Sequence, residues 1–389
     1  MKNTPAHISF RTSWTITEPI ANLLGQCYAF IRAITHTPIS PDDREKLLRV
    51  SLRKGALATT AIEGNTLTED DLDSIEAGHD LPPSRRYLQQ EVLNIRDALD
   101  VLRRDLLEGG RRPDMITPAF IRRLHRMVAK GLGERYGGSG CFRRRNVTVG
   151  AYRPPPFEQV EGLVEELCAW LRREFHYSGG QNFDDTVIGA VVSHVYMVWI
   201  HPFLDGNGRT ARLMEFYMLL RAGVPDIASH ILSNHYNNTR DAYYRHLQKT
   251  VETGDLTDFL RYALEGFRDG LEQDVLGTIQ DGLMDGTWEG RVYETTEKLL
   301  KEGTSKKVVD RVRILATALS SGPPLPFKDI LNTAVGAAYG GLTPATLRND
   351  LKLLIRLNLV AEEDGRYRGN KESLNSLTAS VLTEIKGHY

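Results

Sequence analysis

The sequence has little cysteine, no excess charge of either sign and no long apolar run. Its three cysteines, Cys27, Cys141 and Cys168, lie far apart and form no CxxC pair, so neither a disulfide framework nor a cysteine zinc site is indicated. The formal net charge of -1 excludes a whole-chain field that would attract nucleic acid or an anionic membrane. The stretch VIGAVVSHVYMVWI is too short for a membrane span, and the N-terminus has no signal-peptide core. We expect a cytoplasmic protein with no membrane partner.

Length and composition predict a globular chain of several domains. It has 389 residues, 41% hydrophobic and 25% charged, which is ordinary for a soluble protein of two or three domains. Changes in pattern suggest four regions: a helical N-terminal region (1–110), a central region (111–270), a helical linker (271–304) and a C-terminal domain (305–389). The fold class is therefore expected to be mainly α.

The sequence pattern predicts helices through the N-terminal and central regions, with one non-helical segment among these helices. One helical pattern ends at Gly64, and Thr68 with Asp71 then forms a capping box that begins another. Between residues 131 and 157, glycines and prolines break the helical pattern and RNVTV alternates. This change predicts a small β-hairpin at about residues 145–156.

The C-terminal domain reads as three helices and a short hairpin. The helical stretches are KKVVDRVRILATALSSG, PLPFKDILNTAV and LTPATLRNDLKLLIRLNLV, and the hairpin is AEEDGRYRGN. This order predicts a winged helix. In its third helix Thr343 is placed as N-cap and Pro344 as first residue, and four polar residues share one side: Arg348, Asn349, Lys352 and Arg356.

The loop HPFLDGNGRTAR is the most informative stretch of the chain. Gly206 and Gly208 flank Asn207, a composition suited to a turn whose backbone N–H groups form an anion-binding nest. A helix is expected to begin near Arg209. Arg209 and Arg212 are disfavoured at the positive end of a helix unless an anion lies there, so a di- or triphosphate is expected.

Two further residues of this loop supply chemistry. Asp205 offers a hard carboxylate for Mg²⁺ beside the phosphates. His201 is available near neutral pH as a base that takes a proton from an attacking hydroxyl. Taken singly, His201 could be an ordinary loop histidine and Asp205 a turn cap. Together with the two arginines, they favour a catalytic loop.

This loop resembles the signature of the Fic (filamentation induced by cAMP) family, and the similarity extends over roughly residues 50–270. The resemblance implies a Fic-fold helical bundle in which His201 deprotonates a target hydroxyl, and that hydroxyl attacks the α-phosphorus of ATP. Asp205 would hold Mg²⁺, and Phe203 would lock the loop into the core. The phosphates would be held by Gly206, Asn207, Gly208, Arg209 and Arg212. The intact GNGR sequence favours nucleotide transfer over the kinase chemistry of some relatives.

Three other segments resemble parts of the same family. TTAIEGN, through Thr59, Glu63 and Gly64, resembles its inhibitory motif, which implies that Glu63 pairs with Arg212 and autoinhibits the enzyme. RNVTVGAYRPPP resembles the flap, defined here as about residues 145–156, on which a target protein docks as an added strand. NNTRDAYYRHL implies that Tyr243 and Tyr244 lie near adenosine. Thr250 and Thr253 stand where an asparagine often meets the base, so the preferred nucleotide stays open.

Two other motif readings of the loop fail on its sequence. An EF-hand would need an oxygen ligand where Arg209 stands and a glutamate where Phe216 stands. A dinucleotide fingerprint fits Gly206, Gly208 and Ala211, but a long helical pattern precedes it instead of a buried strand.

The sequence as a whole predicts a protein adenylyltransferase, with Mg²⁺ as cofactor and ATP as substrate, acting on Ser, Thr or Tyr hydroxyls of a protein target. Two alternatives stay open. One is a nucleotide-controlled regulator that binds DNA through the winged helix, although the wing carries Glu362, Glu363 and Asp364 and an exposed polar face is often only solvated. The other is removal of AMP at the same site, with Glu63 orienting a water. The target protein and a homodimer are left open.

Overall fold

The protein is described here from a computed structural model, which covers residues 5–79, 81–108, 116–133, 135–175, 183–333 and 335–374. Across these residues the chain is mainly helical, and it divides into two compact units, Met1–Gly277 and Thr278–Tyr389. Residues 375–389 of the predicted C-terminal domain lie outside the described residues.

The first part of unit 1 consists of four helices. They are α1 Glu18–His36, α2 Pro41–Ala61, α3 Glu69–Glu76 and α4 Arg86–Leu107. Ser40 caps α2 by accepting a hydrogen bond from the backbone of Asp43 at 3.1 Å, and Gly64 turns the chain beyond the helix with φ 92. The capping box of Thr68 and Asp71 at the start of α3 is present, as predicted.

Seven further α-helices follow in the described part of unit 1, and a π-helical segment, Gly270–Leu276, comes after the last of them. The α-helices are α5 Pro118–Val128, α6 Val160–Glu174, α7 Phe183–Ile200, α8 Asn207–Arg221, α9 Ile231–Asn238, α10 Arg240–Thr253 and α11 Thr257–Asp269. Helices α7 and α8 pack on each other in the core. The segment Phe183–Ile200 is long and apolar enough to span a membrane, but 78% of it is buried inside the protein. Its uniform hydrophobicity is that of a core helix.

The predicted hairpin at residues 145–156 is smaller than expected. Val149 and Tyr152 exchange two backbone hydrogen bonds of 2.9 Å, and Gly150 turns the chain between them with φ 57. No regular strand extends this bridge within the described residues of the flap. The alternating stretch RNVTV is instead an extended arm, because Pro154 to Pro156 on the other arm have no N–H to donate to a ladder.

Unit 2 consists of helices and one small sheet. Its elements are α12 Gly277–Lys301, α13 Lys306–Ser320, β1 Leu325–Pro326, α14 Val335–Ala338, α15 Pro344–Arg356, β2 Val360–Glu363 and β3 Arg366–Gly369. The antiparallel sheet has the order β1-β3-β2. Asp364 and Gly365 join β2 to β3 with φ 50 and 73, the positive values that a tight two-residue hairpin needs. Trp288, Leu315, Leu351 and Leu354 are buried in the core of the unit.

The second predicted helix of this unit, PLPFKDILNTAV, is wrong in its first half. Leu325 and Pro326 pair with β3 as a strand, Phe327–Asn332 forms a 3-10 helix, and only Val335–Ala338 is α-helical. Prolines fix their own φ and hold the preceding residue in extended conformation, so this stretch cannot begin a helix.

Candidate active site

The loop between α7 and α8 is held rigidly by its own residues. Asn207 donates from Nδ2 to the carbonyl of Phe203 at 2.9 Å and accepts from the Phe203 N–H at 2.8 Å. The fully buried Phe203 ring stacks on His125 at 3.8 Å, with an interplanar angle of 4°. Phe203 therefore locks the loop into the core, as predicted. The Asn207 side chain fixes the shape of the loop through these two hydrogen bonds.

Both glycines of the loop lie in close contact with neighbouring side chains. Gly206 has φ 78 and precedes α8 as its N-cap. A Cβ on Gly206 would lie 2.8 Å from the ring of Tyr136, and a Cβ on Gly208 would lie 2.0 Å from the Oε1 atom of Glu63. A side chain at either position would displace these neighbours. The α-helix begins at Asn207, two residues before the predicted start at Arg209.

The two arginines of the motif are buried and face carboxylates. Arg209 contacts Glu91 at 2.8 Å and Asp205 at 2.9 Å, and Arg212 contacts Glu63 at 2.7 Å. Arg209 Nε, Arg212 Nε and Arg212 Nη1 are buried without a hydrogen-bond partner in the described structure. Buried donors of this kind are costly when unmatched. They fit a site that receives additional oxygen atoms, such as those of a polyphosphate.

Glu63 lies where the sequence resemblance placed it. Its Oε1 atom accepts from Arg212 Nη2, which also donates to the carbonyl of Thr59 at 2.8 Å. Burial alone would raise the pKa of Glu63, but the charge and hydrogen bond of Arg212 outweigh it and lower the pKa. The carboxylate is therefore ionised at neutral pH and occupies the guanidinium that a phosphate would need.

His201 is held in a left-handed backbone conformation with φ 50. Its Nδ1 atom lies 3.4 Å from the carbonyl of Val198, a contact that favours a proton on Nδ1 and leaves the Nε2 lone pair free. Burial lowers the pKa of His201 to about 4. The ring is therefore neutral at pH 7 and can accept a proton.

The structure adds two positioning residues that the sequence analysis did not identify. The buried Arg143 donates to the carbonyls of His201 at 2.8 Å, Arg145 at 3.2 Å and Pro155 at 2.5 Å. His125 accepts from the N–H of Gly140 at 2.9 Å, and its Nε2 atom lies 3.0 Å from the carbonyl of Asp205. Arg143 thus links the loop to the flap, and His125 links the loop to Gly140 in the segment before the flap. Neither residue lies in a recognisable motif.

Asp205 has a carboxylate that is only partly engaged. Its Oδ1 atom accepts from the N–H of Gly206 at 2.6 Å and from Arg209 at 2.9 Å. The side chain is 39% exposed, and Oδ2 makes no hydrogen bond to the described residues. Among those residues no group of three or more His, Cys, Asp or Glu could hold a metal ion. One free carboxylate oxygen fits Mg²⁺ shared with phosphates, which needs few protein ligands.

The two tyrosines predicted to lie near adenosine have different environments. Tyr243 is buried, and its hydroxyl lies 2.9 Å from Nε2 of His194 in the core. Tyr244 is 44% exposed and donates to the carbonyl of Ile62 at 3.1 Å. Tyr243 is therefore a packing residue, and Tyr244 contacts the segment that carries Glu63. Thr250 is also buried, where it accepts from Trp199 Nε1 at 3.2 Å.

Glu91 holds the most buried ion pair of the site. It contacts Arg209 at 2.8 Å, Tyr136 at 3.0 Å and Asn65 at 3.1 Å. Glu91→Ala should lower the free energy of unfolding by about 3 kcal/mol in a urea titration, because it leaves a buried guanidinium with one carboxylate fewer. The control Glu161→Ala, which breaks the exposed pair with Arg122, should cost less than about 1 kcal/mol. Equal effects of the two changes would contradict the prediction.

Known proteins that resemble this chain in sequence include Fic proteins. Residues 115–219 match the Fic/DOC family. The chain is 28% identical over 249 residues to the protein adenylyltransferase fic-1 of Caenorhabditis elegans, covering 64% of this chain and 43% of that protein. It is 32% identical over 206 residues to the protein adenylyltransferase Fic of Nematostella vectensis, covering 52% and 44%. The chain thus spans less than half the length of these curated relatives.

Solved structures of similar fold extend the comparison. The crystal structure of a Fic family protein from Desulfovibrio desulfuricans G20 has a TM-score of 0.55 at 21% identity, covering 92% of this chain and 98% of that chain. At this identity the likeness shows the fold alone. Fic-1 from C. elegans has a TM-score of 0.53 at 26% identity, covering 67% of this chain and 73% of that chain.

Proposed function

We propose that this chain is a protein of the Fic/DOC family, which residues 115–219 match, and that it is a protein adenylyltransferase, which transfers AMP from ATP to hydroxyl side chains of other proteins. The proposal rests on one arrangement. Glu63 interacts electrostatically with Arg212, Arg209 and His201, so a neutral base and two buried guanidinium groups lie around one carboxylate. A base beside a polyanion site is what nucleotidyl transfer requires.

The proposed reaction uses residues of the loop in separate roles. Nε2 of His201 takes the proton of the target hydroxyl, whose oxygen forms a bond to the α-phosphorus of ATP. The bond from the α-phosphorus to its bridging oxygen breaks, and pyrophosphate leaves. Arg209, Arg212 and the backbone N–H groups at the start of α8 stabilise the phosphate charge. The left-handed conformation of His201 fixes its ring in this position.

A divalent cation fits the carboxylate of Asp205. The free, partly exposed Oδ2 atom would hold Mg²⁺. When bound, Mg²⁺ neutralises phosphate charge. Arg209 holds the other oxygen of Asp205, at 2.9 Å, and so orients the free one.

Autoinhibition by Glu63 is part of the proposal. The carboxylate takes the Arg212 donor that would otherwise bind the terminal phosphate, and it lies against Gly208. Nucleotide bound beside this pair would be held in a non-reactive pose. The relieved enzyme should therefore be studied as Glu63→Gly.

The donor group can be tested directly. Glu63→Gly, incubated with a cell lysate and Mg²⁺, should transfer label from α-labelled ATP to protein, because pyrophosphate is the leaving group. Glu63→Gly/His201→Ala is the matched control and gives the background labelling by the lysate itself, which Glu63→Gly should not exceed with γ-labelled ATP. Labelling from γ-labelled ATP above this control would identify a kinase and contradict the assignment.

We also propose that unit 2 is a winged helix, with the hairpin of β2 and β3 as its wing. The four predicted polar residues of α15 are all exposed: Arg348, Asn349, Lys352 and Arg356. In the wing, however, Arg368 pairs with Glu363 and Glu372, each at 2.8 Å. Because the charges of the wing are paired with one another, no observation favours DNA over another partner of unit 2. Adenylyl transfer is therefore the function that we conclude for the protein.

A further inference from the structure

The flap and the segment before it carry an unusual local charge. Residues 135–157 contain five arginines and no aspartate or glutamate, in a chain whose formal net charge is -1. The five are Arg135, Arg143, Arg144, Arg145 and Arg153. A local excess of one sign in a nearly neutral protein creates a field at that part of the surface alone.

Two of these arginines have structural roles and three do not. Arg143 is buried and binds three carbonyls, and the Arg135 guanidinium lies 4.4 Å from the centre of the Tyr87 ring. Arg144, Arg145 and Arg153 are exposed, and their side chains form no ion pair or hydrogen bond with the described residues. By contrast, exposed arginines such as Arg49 and Arg261 are paired with glutamates.

The three exposed arginines lie in or beside the two arms of the flap, which Arg143 anchors to the backbone of His201. Arg143 binds the carbonyl of His201 and, through the same guanidinium, the carbonyls of Arg145 on one arm and Pro155 on the other arm of the flap. Both arms are therefore anchored to the backbone of the residue that accepts the proton. Arg144 and Arg145 belong to one of these anchored stretches, and Arg153 lies two residues before Pro155 on the other.

We propose that these three arginines select target segments that carry acidic residues on either side of the modified hydroxyl, an inference that rests on the proposed adenylyltransferase function. The occupant is an acidic peptide segment, because the extended arms of the flap offer backbone groups with which a peptide strand can pair. The unpaired guanidinium groups of the three arginines then donate hydrogen bonds to the carboxylates of the peptide. Charge complementarity of this kind sets specificity more than total affinity.

The test uses Glu63→Gly and short synthetic peptides of defined sequence. Each peptide carries one central Ser, Thr or Tyr, flanked by Glu, Gln or Lys and otherwise identical. Transfer from α-labelled ATP should be about tenfold faster to the Glu-flanked than to the Gln-flanked peptides, and slowest to the Lys-flanked peptides. This preference should decline as salt is added, because exposed charges are screened.

Variants identify the residues responsible. In the Glu63→Gly background, Arg144→Gln/Arg145→Gln/Arg153→Gln should reduce the tenfold preference to about twofold, and the corresponding change to Glu should reverse it in favour of Lys-flanked peptides. Arg261→Gln, which removes an exposed arginine of α11, should leave the preference unchanged. The rate with Gln-flanked peptides reports whether the variants are folded and active.

The outcomes separate this inference from the proposed function. Equal rates with Glu-flanked and Gln-flanked peptides, or a preference that survives the triple Gln change, would overturn the inference and leave adenylyl transfer standing. Inhibition of all three peptide classes alike by polyuridylic acid in Glu63→Gly, lost in the triple Gln variant, would instead assign the arginines to nucleic acid. Absence of label from every peptide and from lysate protein would overturn the proposed function, and this inference with it.

Discussion

Replacing Glu63 by glycine is expected to raise the rate of AMP transfer about a hundredfold over wild type. The change removes the carboxylate that lies 2.7 Å from Arg212. A hydrogen bond between charged groups in a partly desolvated cleft is worth about 1.5–3 kcal/mol, which is about tenfold to somewhat above a hundredfold in rate. The upper part of this range applies, because Arg212 is almost fully buried at 1% exposure. The measurement is initial rate with α-labelled ATP and a fixed amount of lysate protein.

Two control variants separate the charge of Glu63 from its bulk. Glu63→Gln keeps the shape and a neutral acceptor, so it should activate the enzyme only partly. Glu69→Gln removes an exposed carboxylate at the start of α3 and should change the rate less than about twofold. Equal rates for wild type and Glu63→Gly would show that the ion pair with Arg212 does not limit transfer.

The pH dependence of this inhibition follows from the pKa of Glu63. Arg212 lowers the pKa of Glu63 when the two side chains are in contact. The pair therefore stabilises this inhibited arrangement fully at pH values above the ordinary pKa of a glutamate. Its contribution is lost as the pH falls through the lowered value, when the carboxylate is protonated. Inhibition should therefore be complete at neutral pH and unaffected by mild acidification.

The sequence predicted those parts of the site that are contiguous along the chain. His201, Asp205 and the two arginines lie within one loop and the first turns of one helix, so local rules about nests, helix ends and charge were enough to place them. The contact between Glu63 and Arg212 joins distant residues, and only the family resemblance indicated it. The fold class was predicted as mainly α for the same local reason, since each helix has its own periodicity.

The residues that the sequence did not predict act through tertiary contacts. Glu91 and Arg143 are charged residues in stretches of ordinary composition, and only packing shows that Glu91 meets Arg209 and that Arg143 meets the carbonyl of His201. Tyr243 and Tyr244 were predicted to share one environment, but adjacent residues of a helix face different sides. Tyr244 is on the surface, while Tyr243 faces His194 in the core.

His201→Ala in the Glu63→Gly background is expected to lower AMP transfer by about a hundredfold to ten-thousandfold, the usual contribution of a positioned general base. ATP binding should be retained, because in the proposed reaction Arg209 and Arg212 hold the phosphates and His201 does not. The rate is measured with α-labelled ATP, and binding is measured by the rise in melting temperature with ATP. His36→Ala changes an exposed histidine at the end of α1 and should leave both unchanged.

The pH profile gives an independent test of the same base. Burial lowers the pKa of His201 to about 4, so its ring stays neutral and able to accept a proton from pH 8 down to about pH 5. The rate of Glu63→Gly should therefore be flat over this range and fall only near pH 4. A half-maximal rate near pH 6.5, the ordinary value for histidine, would show that the ring is solvated during the reaction. Full activity of the His201→Ala variant would show that another group takes the proton.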